Sequence, residues 1–74
     1  MEHATDNSIA LVAFWNAANP IGTRVLVTLD AGSVLRTRTK SAAWMLGGHT
    51  AVIKVDGIAG GYLLNRVRPE RGEG

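Results

Sequence analysis

Three basic side chains alternate along one short segment of the chain. Arg36, Arg38 and Lys40 are separated by single residues, so on a β-strand they point to one side at intervals of about 6.6–6.8 Å. This interval is close to the spacing of phosphates along an extended nucleic-acid strand. Residues 24–71 hold all 8 Lys and Arg residues but only 3 acidic residues, which concentrates positive charge around this segment. The pattern predicts either a single-stranded nucleic-acid site or a solvated edge strand whose charges prevent aggregation.

Aromatic residues supply a second kind of candidate contact. Trp44 follows a run of small residues, and Tyr62 follows Gly60-Gly61. Either ring is able to stack on a base, and tryptophan is also enriched at the centres of protein interfaces. For Trp44, a place in the core and a place at an interface are equally good interpretations. Trp15 is interpreted as a core residue of a helix.

His49 follows Gly47-Gly48 in a predicted loop, where a histidine is a candidate for proton transfer or for contact with a ligand. The next carboxylate along the chain is Asp56, at the far end of a predicted strand, and no triad is visible. Scattered acids and histidines do not form a metal site, and the glycines lack the Lys-Ser/Thr of a phosphate-binding loop. We therefore predict no catalytic residue, no metal and no cofactor, and His49 is interpreted as an exposed loop residue or a binding residue.

The composition limits the kind of protein that carries these residues. The chain has 74 residues, 46% hydrophobic and 19% charged, with a net charge of +2 and no cysteine. These values predict one small ordered domain without disulfides or thiolate metal sites. We see neither an apolar stretch long enough to span a membrane nor a secretion signal, so a cytoplasmic protein is expected. The core of so short a chain rarely supplies more than about 3–5 kcal/mol, which favours self-association.

An N-terminal helix is predicted over residues 9–18. Its candidate caps are Asp6, Asn7 and Ser8. Its apolar face carries Leu11, Val12, Trp15 and Ala18 at helical spacing. The helix is expected to end at Asn19, because Pro20 disfavours the helical conformation of the residue before it.

After residue 22 the apolar period changes to two, which predicts four or five short strands separated by glycine-containing turns. The predicted strands cover 24–29, 34–40, 51–55 and a last one within 62–67, the last being a short strand or a helical turn followed by a strand. Val25, Val27 and Leu29 are expected to face inward, as are Ile53 and Val55. Residues 41–46 either continue the second strand or form a short connection.

Short strands at this spacing predict a small antiparallel barrel, since closure removes exposed edges. The second half also resembles an SH3-like barrel, through Gly22-Thr23-Arg24-Val25 entering the first strand, the turn at 30–33 and the closing segment 61–67. The expected fold is therefore mainly β, an SH3-like antiparallel barrel of about five strands with one N-terminal α-helix. The expected organisation is a flexible N-terminus at 1–7, a helix at 8–19, the barrel at 20–69 and a flexible tail at 70–74.

Between Phe14 and Pro69 the chain resembles small proteins encoded by phages and prophages of proteobacteria. The resemblance is carried by Phe14-Trp15, Asn19-Pro20-Ile21-Gly22, Arg36-Thr37-Arg38-Thr39-Lys40-Ser41-Ala42-Ala43-Trp44 and Gly57-Ile58-Ala59-Gly60-Gly61-Tyr62. It implies a phage or mobile-element origin and the cytoplasm of a bacterial host, and it brings no assigned activity.

A second resemblance is to the plasmid-borne type II dihydrofolate reductases, which are short SH3-like chains acting as tetramers. Lys40-Ser41-Ala42-Ala43-Trp44 is similar to their Lys-Ser-Gly-Ala-Ala-Trp, and Leu64-Asn65-Arg66-Val67 is similar to their Leu-Glu-Arg-Ile. Their pore-lining Val-Gln-Ile-Tyr run is replaced by Asp56-Gly57-Ile58-Ala59, which lacks the amide and the hydroxyl. The resemblance therefore implies a related fold and transfers no catalytic residue.

Three functions follow from these observations. The first is a non-enzymatic binding module that docks on a protein partner, such as a host factor or defence protein that it would inhibit, or on itself. The second is binding of single-stranded nucleic acid through the basic strand, and the third is an oligomeric reductase, which NADPH binding would reveal. The residues expected at the binding site are Arg36, Arg38, Lys40, Trp44, His49 and Tyr62.

Overall fold

The computed structural model of the chain describes residues 4–70, with side chains from Asn7 onward. Within that range the elements in chain order are α1 (Ala4–Ala18), β1 (Arg24–Thr28), β2 (Val34–Arg38), β3 (Trp44–Leu46), β4 (Thr50–Ile53), β5 (Tyr62–Leu63), a 3₁₀ helix (Leu64–Arg66) and β6 (Val67–Pro69). The strands form two antiparallel three-stranded sheets. Sheet 1 has the order β2-β1-β6, and sheet 2 has the order β3-β4-β5.

The chain is mainly β with one helix, as predicted, whereas the predicted closed barrel is not confirmed. Across residues 4–70 the strands form two separate sheets, and six short strands replace the expected five or so. Two strands are additional to the four whose bounds the sequence predicts. One is β3, in a segment that the sequence predicts as either a strand or a connection, and the other arises because the 3₁₀ helix divides the predicted last strand into β5 and β6. β3 turns back onto β4 because Gly47 and Gly48 adopt positive φ angles of 63° and 82°, a region that favours glycine.

The two sheets are linked where the chain runs on past β2. Thr39 forms an isolated antiparallel bridge with Val55, and the N–H of Lys40 donates to the carbonyl of Lys54 at 2.8 Å. The chain after β2 therefore pairs with the chain after β4. Residues 41–43 interrupt this pairing, and β3 resumes it on the same partner strand. One bent segment thus belongs to both sheets.

The core contains the inward-facing residues of both sheets. Val25 and Val27 of β1 and Ile53 and Val55 in or after β4 are each 0% exposed, which confirms the predicted alternation. Leu29 is half-buried and packs against the same cluster. The predicted strands at 24–29 and 51–55 correspond closely to β1 and β4.

The helix packs on this core through the predicted face. Trp15 is 6% exposed, and Leu11 and Val12 are half-buried against the core cluster. Ala18, predicted for the same face, is exposed. The end of α1 before Asn19 is as expected, and the N–H of Asn19 donates to the carbonyl of Trp15 at 2.8 Å.

The start of the helix differs from the prediction. The helix already includes Ala4, the first residue that the structure describes, so the candidate caps at positions 6, 7 and 8 lie inside it. Ser, Asp and Asn are tolerated within helices, so an N-cap residue is one signal among several for where a helix starts. Of the ends predicted to be flexible, residues 4–7 are helical, while 1–3 and 71–74 lie outside the described residues.

The side chain of Asn16 attaches the helix to the chain just before β3. Its amide nitrogen donates to the carbonyl of Ala43 at 3.0 Å, and its amide oxygen accepts the N–H of Ala43 at 2.9 Å. Ala43 is 5% exposed, so both of its backbone polar groups need a partner. Asn16 supplies that partner at the interruption between β2 and β3, where no strand does so.

Candidate binding surfaces

The outer side of sheet 1 carries a cluster of arginines, which we call the arginine face: Arg24, Arg36, Arg38 and Arg68. In the strand register Arg38 lies opposite Arg24, and Leu26 lies between Arg36 and Arg68. All four arginines are exposed. Three of them, with Thr37 and Glu70, line an open pocket. With Glu70 counted, the face has a net charge of +3.

Protection of a sheet edge explains part of this face. Arg36 and Arg38 lie on β2, an edge strand of sheet 1, where positive charges discourage pairing with another chain. Arg24, however, lies on the central strand β1, directly opposite Arg38. Like charges at opposed positions destabilise a sheet, so Arg24 adds repulsion without guarding an edge.

We therefore expect Arg24→Gln to stabilise the protein. Removing one of two opposed positive charges is worth about 0.2–1 kcal/mol in the free energy of unfolding. Urea denaturation followed by far-UV circular dichroism would measure this gain as a higher midpoint. Arg66→Gln is the matched control, because Arg66 is paired with Asp30 at 3.2 Å and its replacement should not stabilise. A lower midpoint for Arg24→Gln would contradict the repulsion.

Glu70 partly neutralises the arginine face. Its carboxylate Oε2 lies 3.8 Å from an Nη of Arg36, whose side chain is 78% exposed. This distance is longer than a charge-assisted hydrogen bond, and such a solvated pair contributes little stability. Among the side chains that the structure describes, residues 7–70, no other acidic side chain lies within 4.0 Å of the four arginines.

Lys40, predicted to share a face with Arg36 and Arg38, lies two residues past the end of β2. It follows the bridge between Thr39 and Val55, and its Nζ lies 3.9 Å from a carboxylate oxygen of Asp56. It does not line the pocket. The structure also brings Arg24 and Arg68 to the outer side of sheet 1, and sequence reasoning missed both because their proximity depends on strand register.

Four of the five residues on the outer side of the strands of sheet 2 are apolar, and we call these four the apolar face: Trp44, Leu46, Val52 and Leu63. The fifth is Thr50, the register partner of Leu46. The register aligns Trp44, Val52 and Leu63 in one row across the three strands, and Leu46 lies two residues along β3. Leu46 is 53% and Leu63 is 41% exposed, and Val52 is buried. An antiparallel sheet with one solvated side ordinarily alternates apolar and polar residues, whereas here the outer side is apolar except at Thr50.

Trp44 covers the centre of this face. It is half-buried, and it lies on the side of sheet 2 away from the main core cluster. A Cβ atom added at Gly61 would lie 3.2 Å from Trp44 Cη2 and 3.1 Å from Val52 Cγ2, so the ring lies closely against Gly61. Trp44 therefore lies outside the main core cluster, and its place at an interface stays a prediction.

Tyr62 and His49, also predicted for the site, lie elsewhere. Tyr62 is the register partner of Ile53, is half-buried against the core, and donates its hydroxyl to the carbonyl of Thr28 at 3.2 Å. Its ring is thus on neither outer face. His49 is exposed in the turn after β3, with Nδ1 3.3 Å from the hydroxyl of Thr50. Among the described residues no group of three potential metal ligands is present.

The outer side of α1 is a second exposed apolar surface. Phe14 is 74% and Ile9 is 51% exposed, and the exposed alanines around them are Ala10, Ala13 and Ala17. Residues 7–18 of the helix carry no charge. Between residues 4 and 70, no helix combines the length and the apolar character needed to cross a bilayer.

Comparisons of the chain with protein-family models, with curated proteins and with solved structures find no match.

Proposed function

We propose that the protein is a small non-enzymatic binding module that docks through the apolar face, with a second copy of the chain as occupant. The observation that carries the proposal is the row of Trp44, Val52 and Leu63 across the outer side of sheet 2, with the exposed Leu46 beside it. Apolar residues in a row on the solvent side of a sheet indicate that another surface covers them.

The chemistry of the face favours a second copy over a charged partner. Its four residues carry no charge, so two such faces complement each other by apolar contact alone. A two-fold axis uses the same patch on both copies, and two sheets pack face to face at about 10 Å. Burial of this face also adds a larger share of the total stability in a chain of 74 residues than in a larger protein, because a small core supplies little stability itself.

Light scattering at micromolar concentration tests this proposal. We expect the wild type to be a dimer and the double variant Leu46→Gln/Leu63→Gln to be a monomer. The two substitutions remove four exposed leucine contacts from a two-fold interface. At about 1 kcal/mol for each partly exposed leucine, the dissociation constant rises on the order of 10³-fold.

Phe14→Gln is the matched control, because it removes an exposed apolar side chain from the other apolar surface. It should leave the dimer intact. A wild type that is monomeric yet unfolds cooperatively contradicts self-association. A dimer that Phe14→Gln dissociates, and the leucine variant does not, contradicts the choice of the apolar face.

We propose further that the two sheets form an SH3-like arrangement that is not closed. The proposal is supported by the bent segment after β2, which pairs with both sheets through the bridge between Thr39 and Val55. It is also supported by the 3₁₀ helix at Leu64–Arg66, a tight turn that feeds the last strand. The sequence resemblance to SH3-like barrels rests on the same closing segment.

The resemblance to phage and prophage proteins supports a proposed setting for this module. We place it in the cytoplasm of a bacterial host, encoded by a phage or another mobile element. The alternative occupant of the apolar face is then a host factor or a defence protein, which the same leucine substitutions would release.

A further inference from the structure

We infer that the arginine face binds the phosphate backbone of a single-stranded nucleic acid. This inference goes beyond the proposed self-association, because its residues lie on the outer side of sheet 1 and the apolar face lies on sheet 2. The juxtaposition that carries it is four exposed arginines on three neighbouring strands, two of them directly opposed.

The residue type favours phosphate as the ligand. Every cation on the outer side of the three strands of sheet 1 is arginine, and the two lysines, Lys40 and Lys54, lie past the ends of β2 and β4. A guanidinium presents a planar fork of donors that matches phosphate oxygens, so arginine binds phosphate in a bidentate manner. Successive arginines on β2 lie about 6.6–6.8 Å apart, which allows each to contact a different phosphate of an extended strand.

The placement of Arg24 distinguishes a binding surface from a solvated edge. Arg24 lies on the central strand of sheet 1 and repels Arg38 across the register. A bound phosphate relieves this repulsion because it accepts hydrogen bonds from both guanidinium groups. Edge protection alone requires the β2 residues and gives Arg24 no role.

The surroundings of the face indicate backbone contact rather than base recognition. No aromatic side chain belongs to it, because Tyr62 faces the core and Trp44 lies on sheet 2. Leu26, half-buried between Arg36 and Arg68, is its apolar centre. Binding is therefore tolerant of base sequence and strongly dependent on salt.

Fluorescence anisotropy with a labelled oligo-thymidine strand, measured at 50 and 200 mM salt, tests this inference. Four phosphate contacts give a log–log slope of about −2.8 for a single strand, which weakens binding about 50-fold between the two salt concentrations. The variant Arg24→Gln/Arg38→Gln/Arg68→Gln retains Arg36 alone, so its salt dependence falls to about threefold. The triple variant should also bind the oligo-thymidine strand more weakly than the wild type at 50 mM salt.

Two further variants distinguish binding at the arginine face from non-specific attraction by the positive charge of the protein as a whole. Lys40→Gln/Lys54→Gln/Arg66→Gln removes the same number of charges from positions that lie outside β1, β2 and β6 and do not line the pocket, so it should bind nearly as the wild type does. Glu70→Gln removes the carboxylate that lies beside Arg36 and should tighten binding about threefold, the effect of a unit charge at about 6–7 Å in water. Because it adds affinity, this variant gives a result even if the triple arginine variant fails to fold.

Three results would overturn the inference. The first is a wild type that does not bind the oligo-thymidine strand at 50 mM salt. The second is an equal loss of binding in the lysine-containing control variant. The third is a tighter complex with duplex DNA of the same length, which would contradict the single-strand assignment. Self-association is measured separately by light scattering, so failure of one proposal is distinguishable from failure of the other.

Discussion

Replacement of Trp15 by alanine is expected to unfold the domain at room temperature. Trp15 is 6% exposed, and it is the largest side chain that α1 contributes to the main core cluster. Truncation of a buried tryptophan to alanine costs about 3–5 kcal/mol, and the core of a domain this small supplies a similar amount. Far-UV circular dichroism would show the loss of the helical signal and of the cooperative thermal transition.

The neighbouring aromatic residue provides the control. Phe14 precedes Trp15 in the chain but lies on the outer side of the helix, where it is 74% exposed. Phe14→Ala should change the free energy of unfolding by no more than about 0.5 kcal/mol, as for most surface substitutions. Comparable losses in the two variants would mean that α1 is not oriented as the structure has it.

The helix and the inner faces of the sheets are the parts of the fold that the sequence predicts. The face of α1 with Trp15 and the alternation of Val25 with Val27 follow from spacing, because burial selects apolar residues at the period of each element. The end of the helix follows from Pro20, which acts on the residue beside it. These signals are local, so a single sequence contains them.

The parts that could not be predicted depend on pairing between distant segments. β3 contains three residues, Trp44–Leu46, too few for a period to emerge. Its existence depends on the turn at Gly47-Gly48 and on pairing with β4, and the preceding interruption is stabilised by Asn16 from the helix. A local sequence pattern cannot predict the hydrogen bond between the Asn16 side chain and the Ala43 backbone, because the two residues are 27 positions apart.

The candidate sites show the same limit. Arg36 and Arg38 were identified because they alternate along one strand, whereas Arg24 and Arg68 join them through the register of three strands. Alternation also groups Lys40 with them, and this residue lies past the end of β2, where it pairs with Asp56. A strand period predicts which residues of one strand share a side, but the neighbouring strands and their register have to come from the fold.

The second large effect is expected at Ile53, on the central strand of sheet 2. Ile53 is 0% exposed and contacts the core cluster that joins both sheets, so Ile53→Ala leaves a cavity that neighbouring strands fill only in part. The expected loss is about 2–5 kcal/mol in the free energy of unfolding, whereas Ile53→Val should cost about 0.5–1.5 kcal/mol. The valine variant remains folded and measurable even if the alanine variant does not.

Ile21→Ala is the matched control, because it deletes the same atoms from a side chain that is 64% exposed. Urea denaturation of the three variants and the wild type should therefore rank them with Ile21→Ala nearest the wild type, then Ile53→Val, then Ile53→Ala. The ranking depends on the inner side of β4 facing the core. With the opposite orientation Val52 would be the costly position, and Ile53→Ala would lose less than about 1 kcal/mol. This orientation also places Val52 beneath Trp44 on the apolar face, so the series tests the geometry on which the proposed docking surface depends.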